Sequence, residues 1–152
     1  MSMVIIDRGT IQRLLETRLE SVNADVAVRH AGEEDANASV WCRPGAMRLR
    51  RLPRQRTDIE PEFADFEYEV HVYCSRAAMV ASAFAISNAL QRVASVFIGE
   101  TIRDAPSSHQ VDVLSVDDEG GGADVERGIY FGTLLVRGVC QRVTGATIED
   151  FI

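Results

Sequence analysis

The sequence contains no lysine: all sixteen basic residues are arginine. That removes Schiff-base lysines, the lysine of a phosphate-binding loop and the Ser-x-x-Lys nucleophile from the chemistry open to the chain. Cysteine is scarce too. Cys42, Cys74 and Cys140 are odd in number and none belongs to a Cys-x-x-Cys pair, so neither a disulfide framework nor a zinc knuckle is suggested, and buried free thiols are the plain reading. No apolar run approaches the roughly 18 residues that span a bilayer. Met1 to Asp7 lacks a basic segment followed by a long apolar core, so no secretory leader and no membrane partner are expected, and a cytoplasmic product fits.

With 152 residues, 46% hydrophobic and 26% charged, the chain has the size and composition of one globular domain, residues 1–152, able to close a core without staples. A net charge of −7 works against non-specific duplex binding by the whole surface.

The apolar pattern predicts the elements. Ile11, Leu14, Leu15, Leu19 and Val22 lie on one helical stripe, with Asp7 or Thr10 as N-cap and an exit at Asn23 to Asp25. Val26 and Val28 alternate as in a short strand. Ser39 to Trp41 reads as its hairpin partner, beyond a polar turn at 31–38 and ended by Pro44-Gly45. Phe66, Tyr68, Val70, Val72 and Cys74 occupy every second position, the period of a central strand with one face in the core. Ser75 stands where an N-cap belongs. Met79, Ala83, Ile86, Leu90, Val93 and Phe97 then recur at helical steps, predicting one long helix over 77–98 that stops at Gly99. Residues 102–106 read as irregular, 110–116 as a strand with a bulge, 117–124 (DDEGGGAD) as a solvated loop, and 125–143 as a long strand with both faces partly covered.

Catalytic constellations are few. His30, His71 and His109 form no His-x-x-x-His pair, so a metal centre would need unrelated loops to converge, and no metal or cofactor is expected. Ser107, Ser108, His109 and Asp112 are triad residue types crowded together, but without a Gly-x-Ser-x-Gly elbow. The acidic loop at 117–124 lacks the calcium-loop spacing, and Gly128, Gly132 and Gly138 lie in a strand pattern rather than between strand and helix. No enzymatic activity is expected.

One segment asks for a partner. Arg43, Arg48, Arg50, Arg51, Arg54 and Arg56 are followed at once by Asp58, Glu60, Glu62, Asp65, Glu67 and Glu69. This basic arm, 43–61 with its acidic continuation, folds back on its own carboxylates, grips those of another subunit through bidentate guanidinium contacts, or touches nucleic acid. Nucleic acid is disfavoured by the absence of interleaved aromatics.

The strand FEYEVHVYCS at 66–75 leading into the helix 77–98, the late strand IYFGTLLVRGV at 129–139 and the arm at 43–61 together resemble the tail terminator proteins of long-tailed bacteriophages, over roughly residues 3–145. The resemblance implies an α+β fold, a mostly antiparallel twisted sheet of four to six strands flanked by two helices, with the charged arm extended from it. It implies a virion protein of the tail and neck, assembled in the host cytoplasm. Such a protein forms a hexameric ring on the last ring of tail-tube protein, halts tube polymerisation, offers a docking surface to the neck or head-completion protein, and passes genomic DNA through its lumen without reading it. Under that reading Arg48, Arg50, Arg51, Arg54, Arg56, Asp58, Glu60 and Glu62 lie between subunits. Asp117, Asp118, Glu119, Phe151 and Ile152 face the tube or the neck. Another head–tail connector or tube subunit, or a small α/β ligand-binding domain or enzyme, are the alternatives.

Overall fold

The computed structural model describes residues 6–22, 26–29, 39–51 and 62–142, with backbone alone at Arg51 and Glu62. The described elements run α1 (Arg8–Leu19), β1 (Ala27–Val28), β2 (Val40–Arg51), β3 (Glu62–Ser75), α2 (Arg76–Ala81), α3 (Ala85–Ser95), β4 (Thr101–Asp104), a 3-10 turn (Ala105–Ser107), β5 (His109–Asp124) and β6 (Ile129–Arg142). Six strands form one sheet in the order β1-β2-β3-β6-β5-β4, antiparallel throughout except for β1 against β2. The fold is α+β.

The alternation in β3 works as read: Ala64, Phe66, Tyr68, Val70, Val72 and Cys74 are all buried, beneath helices that cover this one face. Onto it α1 lays Ile11, Leu14, Leu15 and Leu19, and α3 lays Ala89 and Val93, followed by Phe97. The helix start is Asp7, whose carboxylate accepts hydrogen bonds from the Thr10 backbone N–H and hydroxyl. Those bonds, the hydroxyl's foremost, hold its carboxyl below the usual range. The end of α1 is tied to the end of α3: Arg18 donates from Nε to the Val96 carbonyl at 2.7 Å and meets Glu100 at 2.8 Å. Gly99, at φ +69°, takes the left-handed conformation that ends the following turn.

Five expectations are corrected. The segment at 26–28 does not form a hairpin with 39–41; β1 runs parallel to β2, Ala27 opposite Trp41 and Val28 opposite Cys42. Pro44-Gly45 does not end that second strand. Instead β2 absorbs the pair as a bulge between Pro44 and Met47 and runs on to Arg51. The arm is therefore, over 43–51, a strand inside the sheet, while 52–61 lie outside the described residues. The long helix divides in two at Ser82, so three helices and not two flank the sheet. The Ser82 hydroxyl accepts the Phe84 N–H and its carbonyl the Ala85 N–H, a local hydrogen-bonding alternative to helix. Residues 101–104 form edge strand β4, and 117–124 are the outer half of β5, paired to β6 as far as Asp124 opposite Ile129. The anticipated bulge is there, between Val113 and Ser115.

All three cysteines are free and buried, and burial pushes the Cys42 thiol up to about 12 and the Cys74 thiol up to about 11, which leaves both inert near neutrality. Tyr68 is fully buried, edge-on to Phe97 with centroids 6.2 Å apart, yet its hydroxyl has no hydrogen-bond partner among the described residues. A buried unmatched hydroxyl costs more than the area it brings. Tyr68→Phe is therefore expected to raise unfolding stability by about 1 kcal/mol, read as a higher urea midpoint with an unchanged slope. A lower midpoint would mean the hydroxyl is satisfied.

Candidate functional site

With helices on one face, the other face of the sheet carries the alternate residues: Trp41, Arg43, Arg48 and Arg50 from β2; Asp65, Glu67, Glu69, His71 and Tyr73 from β3; Phe131, Thr133, Leu135, Arg137 and Val139 from β6. No described helix packs on this face. It divides into a charged half and an aromatic half.

The charged half is a ladder across four strands. Arg48 approaches Glu67 at 3.6 Å, Glu67 meets Arg137 at 3.4 Å, and Arg137 meets Asp117 at 3.4 Å. Beside it, Arg50 donates to Asp65 at 2.7 Å. The basic and acidic runs of the sequence thus meet within one chain, as neighbouring strands in register. Arg48 and Arg50 remain largely exposed, so each pair contributes at most about 1 kcal/mol. Of the residues expected between subunits, the side chains of Arg51 and Glu62 and the whole of Arg54, Arg56, Asp58 and Glu60 lie outside the described residues. So do Phe151 and Ile152. Asp117, Asp118 and Glu119 are exposed, on the outer half of β5 rather than on a loop.

The aromatic half is a cleft of about 530 Å³. Trp41 and Tyr73, directly opposite in register, stack with centroids 5.5 Å apart and planes 15° from parallel, and Phe131 stands opposite Tyr73 on the next strand. Trp41 is only 3% exposed and its indole N–H has no acceptor among the described residues. His71 Nδ1 lies 3.1 Å from the Thr133 hydroxyl and its Nε2 lies 3.7 Å from Glu69. The β2 bulge brings Gly45 down onto this ring: a Cβ at that position would lie 2.6 Å from His71 Nε2, so a larger residue there would have to displace the ring. Arg43 and Arg127 add two guanidinium groups and Asp124 one carboxylate. Sequence reasoning missed this cleft because its residues come from four separate segments with no shared spacing.

The triad residue types do not converge. His109 is buried and accepts the Asp7 N–H at Nε2, 3.0 Å away; Ser107 bonds to the Asp104 carboxylate; Asp112 accepts from Thr101 and from Gln110. Among the described residues no three of His, Cys, Asp and Glu gather as a metal site would require, and no helix is long and apolar enough to cross a membrane. No protein-family model matches the chain, and no curated protein sequence matches it significantly.

Proposed function

We propose that this chain is a structural subunit that closes into a ring of the tail-terminator kind, most simply a hexamer, rather than an enzyme. Capping a tail tube, receiving the neck or head-completion protein and passing genomic DNA through the lumen of a virion follow from that reading.

The observation that carries it is a pair of open strand edges of opposite charge on opposite sides of one sheet. Beyond Cys42, no described strand pairs with the outer edge of β2, which bears Arg43, Arg48 and Arg50. From Leu114 to Asp124, none pairs with the outer edge of β5, which bears Asp117, Asp118 and Glu119. Because β2 and β5 run in opposite directions, two copies set side by side in the same orientation bring these edges together as an antiparallel pair. The short strands β1 and β4 cover the two edges at opposite ends of the sheet, so the exposed lengths are offset. An offset of this sort is the shear with which strands close into a barrel or ring. Such a contact is heterologous, one patch on a different patch, as cyclic symmetry above two-fold requires. The tip of the β5–β6 hairpin, where Val125 is 75% exposed, is left to face the tube or the neck.

Native mass spectrometry and negative-stain images of the purified protein are expected to give rings of one stoichiometry. Arg48→Glu with Arg50→Glu is expected to weaken each junction at least about tenfold, and adding Asp117→Arg and Asp118→Arg to restore it. A monomer at all concentrations, open-ended tubes, or rings indifferent to these reversals would overturn the reading.

A further inference from the structure

We propose that the cleft over Trp41, Tyr73 and Phe131 binds a small ligand made of a flat ring carrying an anionic group, the ring lying on the Phe131 and Tyr73 side chains and the anion on Arg127. This does not depend on ring assembly, whose junction is tested at Arg48, Arg50, Asp117 and Asp118, none of which lines the cleft; Arg43 and Asp124 are common to both.

Three observations carry it. First, the volume of about 530 Å³ falls within the range of small-molecule sites, and the walls pair aromatic surface with a few polar groups. On this face Trp41 and Leu135 are the buried apolar residues that lie outside the helix-side core, and Trp41 lines the cleft together with Arg43 and Arg127.

Second, the polar groups are mostly donors. Arg43, Arg127, the Tyr73 and Thr133 hydroxyls and the His71 ring stand against a single carboxylate on the cleft wall, Asp124. The Arg127 guanidinium makes no hydrogen bond or ion pair among the described residues, and Asp124 is already engaged by the Arg127 backbone N–H. An exposed, unpaired guanidinium beside an aromatic wall is the arrangement that takes carboxylate or phosphate bidentately while its neighbour stacks a ring.

Third, the indole N–H of Trp41 is a buried donor with no acceptor among the described residues. Leaving such a group unmatched costs roughly 1–3 kcal/mol. An acceptor that a ligand brings to this N–H removes that cost.

Phosphate and carboxylate are both suitable anions, so two probes are needed: AMP for a nucleotide and phenylacetate for an aromatic acid. Trp41 is the only tryptophan in the chain, so its fluorescence reports on this cleft and nowhere else. Saturable quenching or a spectral shift with either probe is expected, with adenosine and inorganic phosphate each at least about tenfold weaker than AMP. Arg127→Gln, at an exposed turn position that leaves the fold intact, is expected to weaken the better probe about tenfold; Phe131→Leu is expected to weaken it about fivefold. Binding of AMP alone would identify the ligand class as nucleotide, and of phenylacetate alone as aromatic acid. No response to either probe at millimolar concentration would overturn the proposal. So would inorganic phosphate binding as well as AMP, or Arg127→Gln binding as tightly as the parent.

Discussion

Gly138→Ala is expected to destabilise the protein by about 3 kcal/mol or more, although it adds a single methyl group. Gly138 lies on β6 with Phe66 of β3 opposite on one side and Val113 of β5 on the other. A Cβ there would overlap the backbone carbonyl oxygen of Asp112 and come within 2.8 Å of Phe66 Cε1. Neither neighbour has room to yield: Phe66 is fully buried in the core, and the Asp112 carbonyl belongs to the strand just before the bulge at Val113 to Ser115. Relief would require β5 to separate from β6, and this is the strand pair through which the outer edge of the sheet hangs on the core. Gly9 supplies the control, because among the described residues a Cβ on it meets only Asp7 Oδ2, at 3.8 Å, within a helix. Gly9→Ala is expected to be stabilising, by up to about 1 kcal/mol, as alanine loses less backbone freedom on folding. Urea unfolding of the two variants beside the parent decides the matter. Equal midpoints for Gly138→Ala and the parent would mean that β5 and β6 do not pack as closely as described.

The parts of the fold that were legible in the sequence are those whose cause is local. The two-residue rhythm from Phe66 to Cys74, the stripe from Ile11 to Val22 and the Ser75 cap each follow from burial of one face or from one hydrogen bond. Ser75 does accept the Ala78 N–H. The parts that were not legible depend on partners distant in sequence. Residues 117–124 have the composition of a loop and become a strand because β6, apolar and continuous, gives their backbone something to pair with. Residues 43–51 also alternate, Met47 and Leu49 toward the core against Arg48 and Arg50 outside. That rhythm was hidden by reading the arginines as a charge run and Pro44-Gly45 as a stop. Parallel pairing of β1 with β2 is a matter of topology, and no residue in either segment encodes it. The cleft is the extreme case, since Trp41, Tyr73, Phe131 and Arg127 acquire a common meaning only once the register is known.

His109 shows how the same limit hides a stabilising group, and it leads to the second large effect: stability is expected to fall steeply as pH drops below about 6.5. The ring is 1% exposed, and because Nε2 accepts the Asp7 N–H it must be neutral in the native state. Burial, aided by the positive charge of Arg142, lowers its pKa from the ordinary 6.5, against the opposing pull of the Ser107 carbonyl and the carboxylates of Asp7 and Asp104. Between 6.5 and the lower native value the unfolded chain therefore holds one more proton than the folded chain. Stability is fully present above this window and is lost as pH falls through it, with a slope approaching about 1.4 kcal/mol per pH unit. Asp7 acts in the same direction at lower pH: its lowered carboxyl pKa supplies stability above the ordinary carboxylate range that disappears as the group is protonated. His109→Gln keeps an acceptor near Asp7 but cannot titrate, so the pH dependence of unfolding is expected to be flatter below pH 6.5 in this variant than in the parent; parallel curves would place the acid sensitivity elsewhere. Hydrogen exchange gives the local reading. Protonating Nε2 removes the acceptor that holds the entry to α1, so the amides of Arg8–Leu19 are expected to lose protection before those of β3 and β6. An α1 that keeps its protection while the parent loses stability on acidification would mean that the Arg8 bond to the Met47 carbonyl and the Arg18 bond to Val96 suffice without the histidine.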